Sequence, residues 1–219
     1  MDNPWLELRQ DGPPYVLDID ATEVSAITKR ARYRENTPQT HLLPEPFQGD
    51  AENASVVCLS NNPGYSQARW EDEEHSRPEF KQMVFDTIQL RNPVLWGLKL
   101  NRRWMTRLLN EVLDFVPPER VEANLCLIDF YAYHSEKFHD DWWFPSMHFT
   151  FELVEAAMAR GATIVVMRGQ KNWDYYVPDL VGYKNRFDLN SPQNVAISRG
   201  NCPGFPNIIA ALHRQRLQR

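Results

Sequence analysis

The chain has 219 residues, 42% hydrophobic and 12% aromatic, which is enough apolar material for one sizeable core and argues for a single domain. Its formal net charge of -5 excludes a surface that is basic throughout, although a nucleic-acid-binding protein needs only a local positive stripe. No apolar run is long enough to span a bilayer, Met1 to Trp5 lack the regions of a signal peptide, and three scattered cysteines form neither a thiolate cluster nor a disulfide framework, so the expected setting is cytoplasmic, without cofactor or metal.

From the amino terminus, Met1 to Ile19 mixes aromatics with prolines and has no clear period. Asp20-Ala21-Thr22-Glu23 has the spacing of a capping box, and Val24, Ile27 and Ala31 follow at helical intervals, which predicts a helix from about Thr22 to Arg32. Lys29, Arg30, Arg32 and Arg34 suit its carboxyl-terminal end. From Glu35 to Asn53 the chain is polar and interrupted by Pro38, Pro44 and Pro46, and reads as a loop. Residues 1–54 are thus a lead-in to a core at 55–212, within one domain covering 1–219.

The run Ser55 to Ser60 is short, valine-rich and apolar, and it stops at Asn61-Asn62-Pro63-Gly64, which predicts a buried strand ending in a turn. In an open α/β sheet ligands bind beyond the carboxyl ends of the strands, so the polar residues of this turn are candidates for chemistry; Asn, Pro and Gly are also what ordinary turns are made of. Within Gln67 to Asn92, the four carboxylates Glu71 to Glu74 repel one another and predict a solvated loop face rather than a metal site. Trp70 and Phe80 are candidates for stacking on a planar ligand or for anchoring that loop.

Asn101 to Phe115 is an amphipathic helix with Trp104, Met105, Leu108, Leu109, Val112 and Leu113 on its apolar side, Arg102, Arg103 and Arg107 toward the other, and Pro117-Pro118 as its stop. Ala123 to Phe130 reads as a second buried strand, leaving through Tyr131-Ala132-Tyr133-His134-Ser135. His134 is either a general base or a hydrogen-bonded structural residue, and no spacing suggests a catalytic triad. Phe138 to Pro145 reads as a loop packed by its own aromatics, Phe149 to Arg160 as a helix closed by Gly161, and Ala162 to Met167 as a third strand leading into Arg168-Gly169-Gln170. A short helix from Asn172 to Tyr176, a fourth strand from Asn194 to Ser198 and a final helix from about Pro206 to Leu217 complete the chain. Alternation of buried strands with helices predicts an α/β three-layer sandwich around a four-stranded parallel sheet. Cys58, Cys126, Val165 and Ala196 are expected at its buried centre, with Asn62, Asp129, Arg168 and Arg199 along one edge.

Taken in this order, the motifs resemble those of the uracil-DNA glycosylase superfamily. Ser60-Asn61-Asn62-Pro63-Gly64 is similar to the family's first motif in its mismatch-specific form, Asp129 to Ser135 is similar to the second, and Ser198 to Phe205 occupies the place of the third, so the resemblance covers about Ser55 to Leu212. It implies a DNA glycosylase that extrudes an altered pyrimidine and hydrolyses its N-glycosidic bond, with DNA as partner and no cofactor. It implies Asn62 as the group orienting the attacking water, Asn61, Gly64, Tyr65, Phe80, Asp129 and His134 around the base, and Arg168, Lys171, Arg199 and Asn201 toward DNA. Three positions depart from the family pattern: Ser60 replaces Gly, Asp129 replaces Asn, and Asn201-Cys202-Pro203 replaces a His-Pro-Ser sequence whose histidine steadies the departing base in many members. An ionised Asp129 only accepts hydrogen bonds, and Gly64 leaves room beside the ring's 5-position, so the expected preference is for a 5-substituted cytosine-type base. The residues leave open a different register with Asn124 in the pocket. They also leave open a DNA- or partner-binding module without a reaction, and a hydrolase of free nucleosides.

Overall fold

A computed structural model describes residues 2–31, 37–66 and 70–214. Five strands form one mixed sheet: β1 (Phe47–Gln48), β2 (Val56–Ser60), β3 (Leu125–Asp129), β4 (Thr163–Val166) and β5 (Arg186–Asp188). The spatial order is β1-β3-β2-β4-β5, with β2, β3, β4 and β5 parallel and β1 antiparallel on the outer edge of β3.

The three inner strands are buried on both faces, which is why they read as unbroken apolar runs. Alternate residues divide between two cores. Val57, Leu59, Cys126, Ile128, Ile164 and Val166 face a core shared with α3 (Pro78–Ile88) and α7 (Met147–Ala159). Val56, Cys58, Leu125, Leu127 and Val165 face α5 (Arg103–Leu113), α6 (Pro118–Asn124) and α9 (Phe205–His213). The remaining helices are α1 (Ala21–Arg30), α2 (Trp70–Ser76), α4 (Trp96–Lys99) and α8 (Gln170–Tyr176). β2 lies between β3 and β4, so the connection through α7 crosses over it and opens a crevice at the carboxyl ends of these strands.

The lead-in departs from the polar loop expected of it. Leu42 to Ala51 is buried and runs along β3, because the Glu45 N–H donates to the Ala132 carbonyl at 2.9 Å and the Asp129 N–H donates to the Pro46 carbonyl at 2.9 Å. Pro44 and Pro46 are tolerated there because an edge segment need not supply every N–H. The expected cap at Asp20 is also absent: its carboxylate accepts instead from the Ser146 N–H and the Tyr133 hydroxyl.

The fourth parallel strand is Arg186–Asp188, not Asn194 to Ser198. Backbone groups of the latter segment are satisfied elsewhere, with the Ile197 N–H donating to the Leu108 carbonyl and the Asn201 amide donating to the Asn194 and Ala196 carbonyls. Ala196 is accordingly half-buried, whereas Cys58, Cys126 and Val165 lie fully inside. Glu71 to Glu74 belong to α2 rather than a loop. Pro118 starts α6 where only a helix stop was expected, since a missing N–H costs nothing in a first turn. Arg32 and Arg34 lie outside the described residues, as does the end of the expected last helix, including Leu217.

Gly49 fixes how the lead-in meets the sheet. Its φ is +85°, and a Cβ there would stand 2.4 Å from the Leu125 carbonyl oxygen. Gly49→Ala is expected to lower unfolding free energy by roughly 1–3 kcal/mol, read as a fall in the urea midpoint at unchanged slope.

Candidate functional site

A pocket of about 410 Å³ opens at the carboxyl ends of β2, β3 and β4. The strand exits supply Ser60, Asn62 to Ser66, Asp129, His134 and Arg168; Trp96, Arg102, Trp104 and Leu108 close it from the side of α4 and α5, and Glu45 and His75 are buried in its wall. The volume lies in the range of small-molecule sites.

Asn62 sits one residue beyond the strand exit, where Pro63 forces the chain to turn. Its amide Nδ2 donates to the Pro63 carbonyl at 2.9 Å and to Ser135 Oγ at 2.9 Å, and that hydroxyl donates onward to the Lys137 carbonyl at 2.7 Å. A carbonyl accepts only, so the amide orientation is set: the NH₂ is used by the protein and Oδ1 has no donor among the described residues. A parallel bridge between Gly64 and Ser135 holds this turn against the exit of β3.

Beside it lies a cluster of buried ionisable groups. Glu45 Oε1 is 3.2 Å from His75 Nε2 and 3.6 Å from His134 Nε2. The Leu43 N–H donates to His75 Nδ1 at 3.0 Å, so a neutral His75 must carry its proton on Nε2 and donate it to Glu45. His134 Nδ1 donates to the Gly64 carbonyl at 2.8 Å. Its Nε2 stands beyond hydrogen-bond length from the carboxylate and close enough for an ion pair.

Burial raises the Glu45 carboxyl, but the nearness of His134 and His75 outweighs it and brings the group down to about 2. Burial lowers His134, and the same carboxylate more than compensates, leaving it raised above an ordinary imidazole. His75 is lowered, by burial first. The cluster therefore holds a carboxylate, a neutral imidazole in His75 and, in His134, an imidazole whose protonated form the carboxylate favours. Asp129 is pushed up to about 8 by burial and then by the Glu45 charge, against the opposing pull of His134, Ser60 and Arg168. At neutral pH it is a carboxylic acid that both donates and accepts, not the ionised acceptor expected from sequence.

Glu45, His75 and His134 offer ligand atoms within 4.8 Å of one another, a spacing that suits a divalent cation. The donor set does not: the Leu43 N–H occupies the His75 Nδ1 lone pair and keeps the proton on Nε2, the atom that would have to coordinate.

Asn62, Gly64, Tyr65, Asp129, His134 and Arg168 line this pocket together. A Cβ on Gly64 would meet nothing within 4 Å, and the Tyr65 hydroxyl donates to Asp72 at 3.1 Å. Other expected residues lie elsewhere. The Asn61 side chain turns toward Gly169, where a Cβ would stand 2.5 Å from its Oδ1. Phe80 packs edge-on against His75 and Trp96 as a buried support. Asn201 ties its own loop together through Asn194, Ala196 and the Ser191 N–H, so it has no spare donor for DNA. Arg199 lies over Phe115, 4.5 Å from the ring centroid, and pairs with Glu111, outside the pocket lining. Lys171 is exposed in the first turn of α8 and does not line the pocket. Asn124 donates to the Arg120 carbonyl at the opposite end of β3, which removes the alternative register.

Glu45, His75, Trp96, Arg102 and Trp104 went unread in the sequence as site residues. The carboxylates of α2, expected to be solvated, have separate partners: Glu71 accepts from the Ser66 N–H and hydroxyl, Asp72 pairs with His41, Glu73 with Arg77, and Glu74 with Arg102. Of the aromatics of 138–145, Phe138, Trp142 and Phe144 pack on Tyr131 and Tyr133, Trp143 packs on Phe151 and Tyr176, and all stay out of the pocket lining. No family model, curated protein or solved structure matches this chain.

Linkage gives these protonation states a measurable sign. A carboxyl raised in the fold contributes stability that is full below its unfolded value, about 4, and is lost as pH rises through about 8. Asp129→Asn escapes this loss. Its stability relative to wild type is expected to rise between pH 4 and pH 8, by the order of a few kcal/mol, in urea titrations at fixed temperature. A constant difference across that window would show that Asp129 is ionised in the fold.

Proposed function

We propose that the pocket hydrolyses the N-glycosidic bond of a pyrimidine nucleotide, with the base seated against Asp129 and the water held by Asn62. The observation that carries this reading is the fixed amide of Asn62, whose free Oδ1 shares one pocket with the neutral acid of Asp129.

Heterolysis of the C1′–N1 bond leaves its electron pair on the base and a cationic sugar behind. A water oxygen then bonds to C1′, and the proton it releases ends on the base, which holds the electron pair of the broken bond. An amide is too weak a base to drive early proton removal, but it can orient a weak nucleophile against a sugar already carrying positive charge. Charge developing on the base meets the Asp129 hydroxyl and the Arg168 guanidinium, an arrangement that favours departure electrostatically.

The neutral Asp129 changes the expected choice of base. A carboxylic acid donates to O4 and accepts from N3–H of a uracil-type edge, or donates to N3 and accepts from the amine of a cytosine-type edge. The open space at Gly64 still favours a 5-substituent. Both 5-substituted pyrimidine types are therefore expected substrates near neutral pH, narrowing toward the amine-bearing one as Asp129 ionises near pH 8.

A second reading, hydrolysis of free nucleosides, is favoured by the carboxylates of Glu45, Glu71 and Glu74 in the pocket lining, which repel phosphates. One assay separates the readings: duplex and single-stranded oligonucleotides carrying altered pyrimidines, followed by alkali to reveal abasic sites, alongside free nucleosides followed by chromatography. Asn62→Ala is expected to slow base release by about 10²- to 10³-fold with substrate affinity nearly unchanged. Undiminished release would remove Asn62 from the mechanism. Binding by wild-type protein without release of any base would make the pocket a recognition site only.

A further inference from the structure

A second concavity of about 610 Å³ lies along the outer side of α5, lined by Asn101, Arg103, Thr106, Arg107, Asn110 and Ser198 among others. It is an open groove, and it shares its walls with the pocket. Arg102, Trp104 and Leu108 turn toward the pocket while Arg103 and Arg107 turn into the groove; across from them, Val195 faces the pocket and Ala196 to Ser198 the groove. The Ile197 N–H bond to the Leu108 carbonyl, at 2.8 Å, holds the two walls together.

The groove is cationic in a chain whose net charge is negative. Arg103 and Arg107 are exposed, and among the described residues neither has an ion-pair partner. The acid in the lining, Glu111, is engaged by Arg199 through its backbone N–H at 3.2 Å and its guanidinium at 3.7 Å. One helical turn separates the two arginines, roughly 6 Å along the axis, which is comparable with the step between successive phosphates of a nucleic acid strand. Asn101, Asn110, Thr106 and Ser198 add neutral donors between and beside them. At the boundary, Trp104 lines the pocket and remains 37% exposed, placing an aromatic face where a base would leave the groove for the pocket.

We propose that this groove binds the sugar–phosphate backbone of a DNA strand next to the nucleotide in the pocket, with Arg103 and Arg107 as phosphate contacts and Trp104 as the platform for the neighbouring base. The assignment rests on the pocket receiving a nucleotide, and it replaces Lys171, Arg199 and Asn201 as the contacts to the strand. It also reconciles a carboxylate-rich pocket with a polyanionic substrate, because phosphates are held outside the pocket and only the base and its sugar enter.

The test is fluorescence anisotropy with a labelled oligothymidylate across a salt series, on wild type, Arg103→Gln/Arg107→Gln and Lys171→Gln. Two lost phosphate contacts are expected to reduce the slope of log affinity against log salt by about 1.4 for a single strand, with Lys171→Gln unchanged. Thermal melting of the double variant should match wild type, since both side chains are exposed. Trp104→Ala should weaken binding about 5- to 100-fold without changing the slope. An unaltered slope in the double variant, or no binding by wild type at low salt, overturns the groove assignment even if free nucleosides are cleaved. Conversely, a reduced slope in the double variant with no release of any base by wild-type protein leaves the groove standing and overturns the hydrolase.

Discussion

The burial of one carboxylate governs the chemistry of the pocket. An isolated charge removed from water costs several kcal/mol, so Glu45 exists in its wall only because His75 donates to it and His134 neutralises it. Its charge then sets the state of its neighbours. Asp129 is neutral partly because Glu45 is negative, and the same charge raises His134 above an ordinary imidazole. The lead-in along β3, held by bonds from Glu45 to Ala132 and from Asp129 to Pro46, delivers this charge to the strand exits.

Much of the fold was legible because buried strands write themselves as apolar runs. β2, β3 and β4 are covered on both faces, and apart from Thr163 at the start of β4 they show no polar residue until they end. β5 is an edge whose Arg186 binds Asp188 and Asp174, so it carries no such signal, while Asn194 to Ser198 imitates one and pairs with no strand. β1 is short, follows two prolines, and is a strand only by virtue of its partner.

The candidate site divides along the same line. Asn62, Gly64, Tyr65, Asp129, His134 and Arg168 stand at or beyond strand ends, where position and the family resemblance marked them. Trp96, Arg102 and Trp104 come from helices packed across the crevice, and their sequence pattern reports only helix. Arg102 and Trp104 in fact take the inner side of α5 while Arg103 and Arg107 take the outer, a division that grouping the arginines on one face obscured. Glu45 left a trace that went unread: an acid between two prolines inside the apolar stretch from Leu42 to Phe47 makes little sense for a solvated loop.

The hydrogen bond from the Leu43 main chain to His75 has an evolutionary corollary. Because the donor is a peptide group, every residue except proline supplies it, and the side chain at position 43 is free to change with the core around it. Which nitrogen of His75 bears the proton is therefore inherited with the path of the backbone rather than with the identity of residue 43. Lineages that keep this path can exchange much of the surrounding core and retain the same ordering of charge beside the pocket.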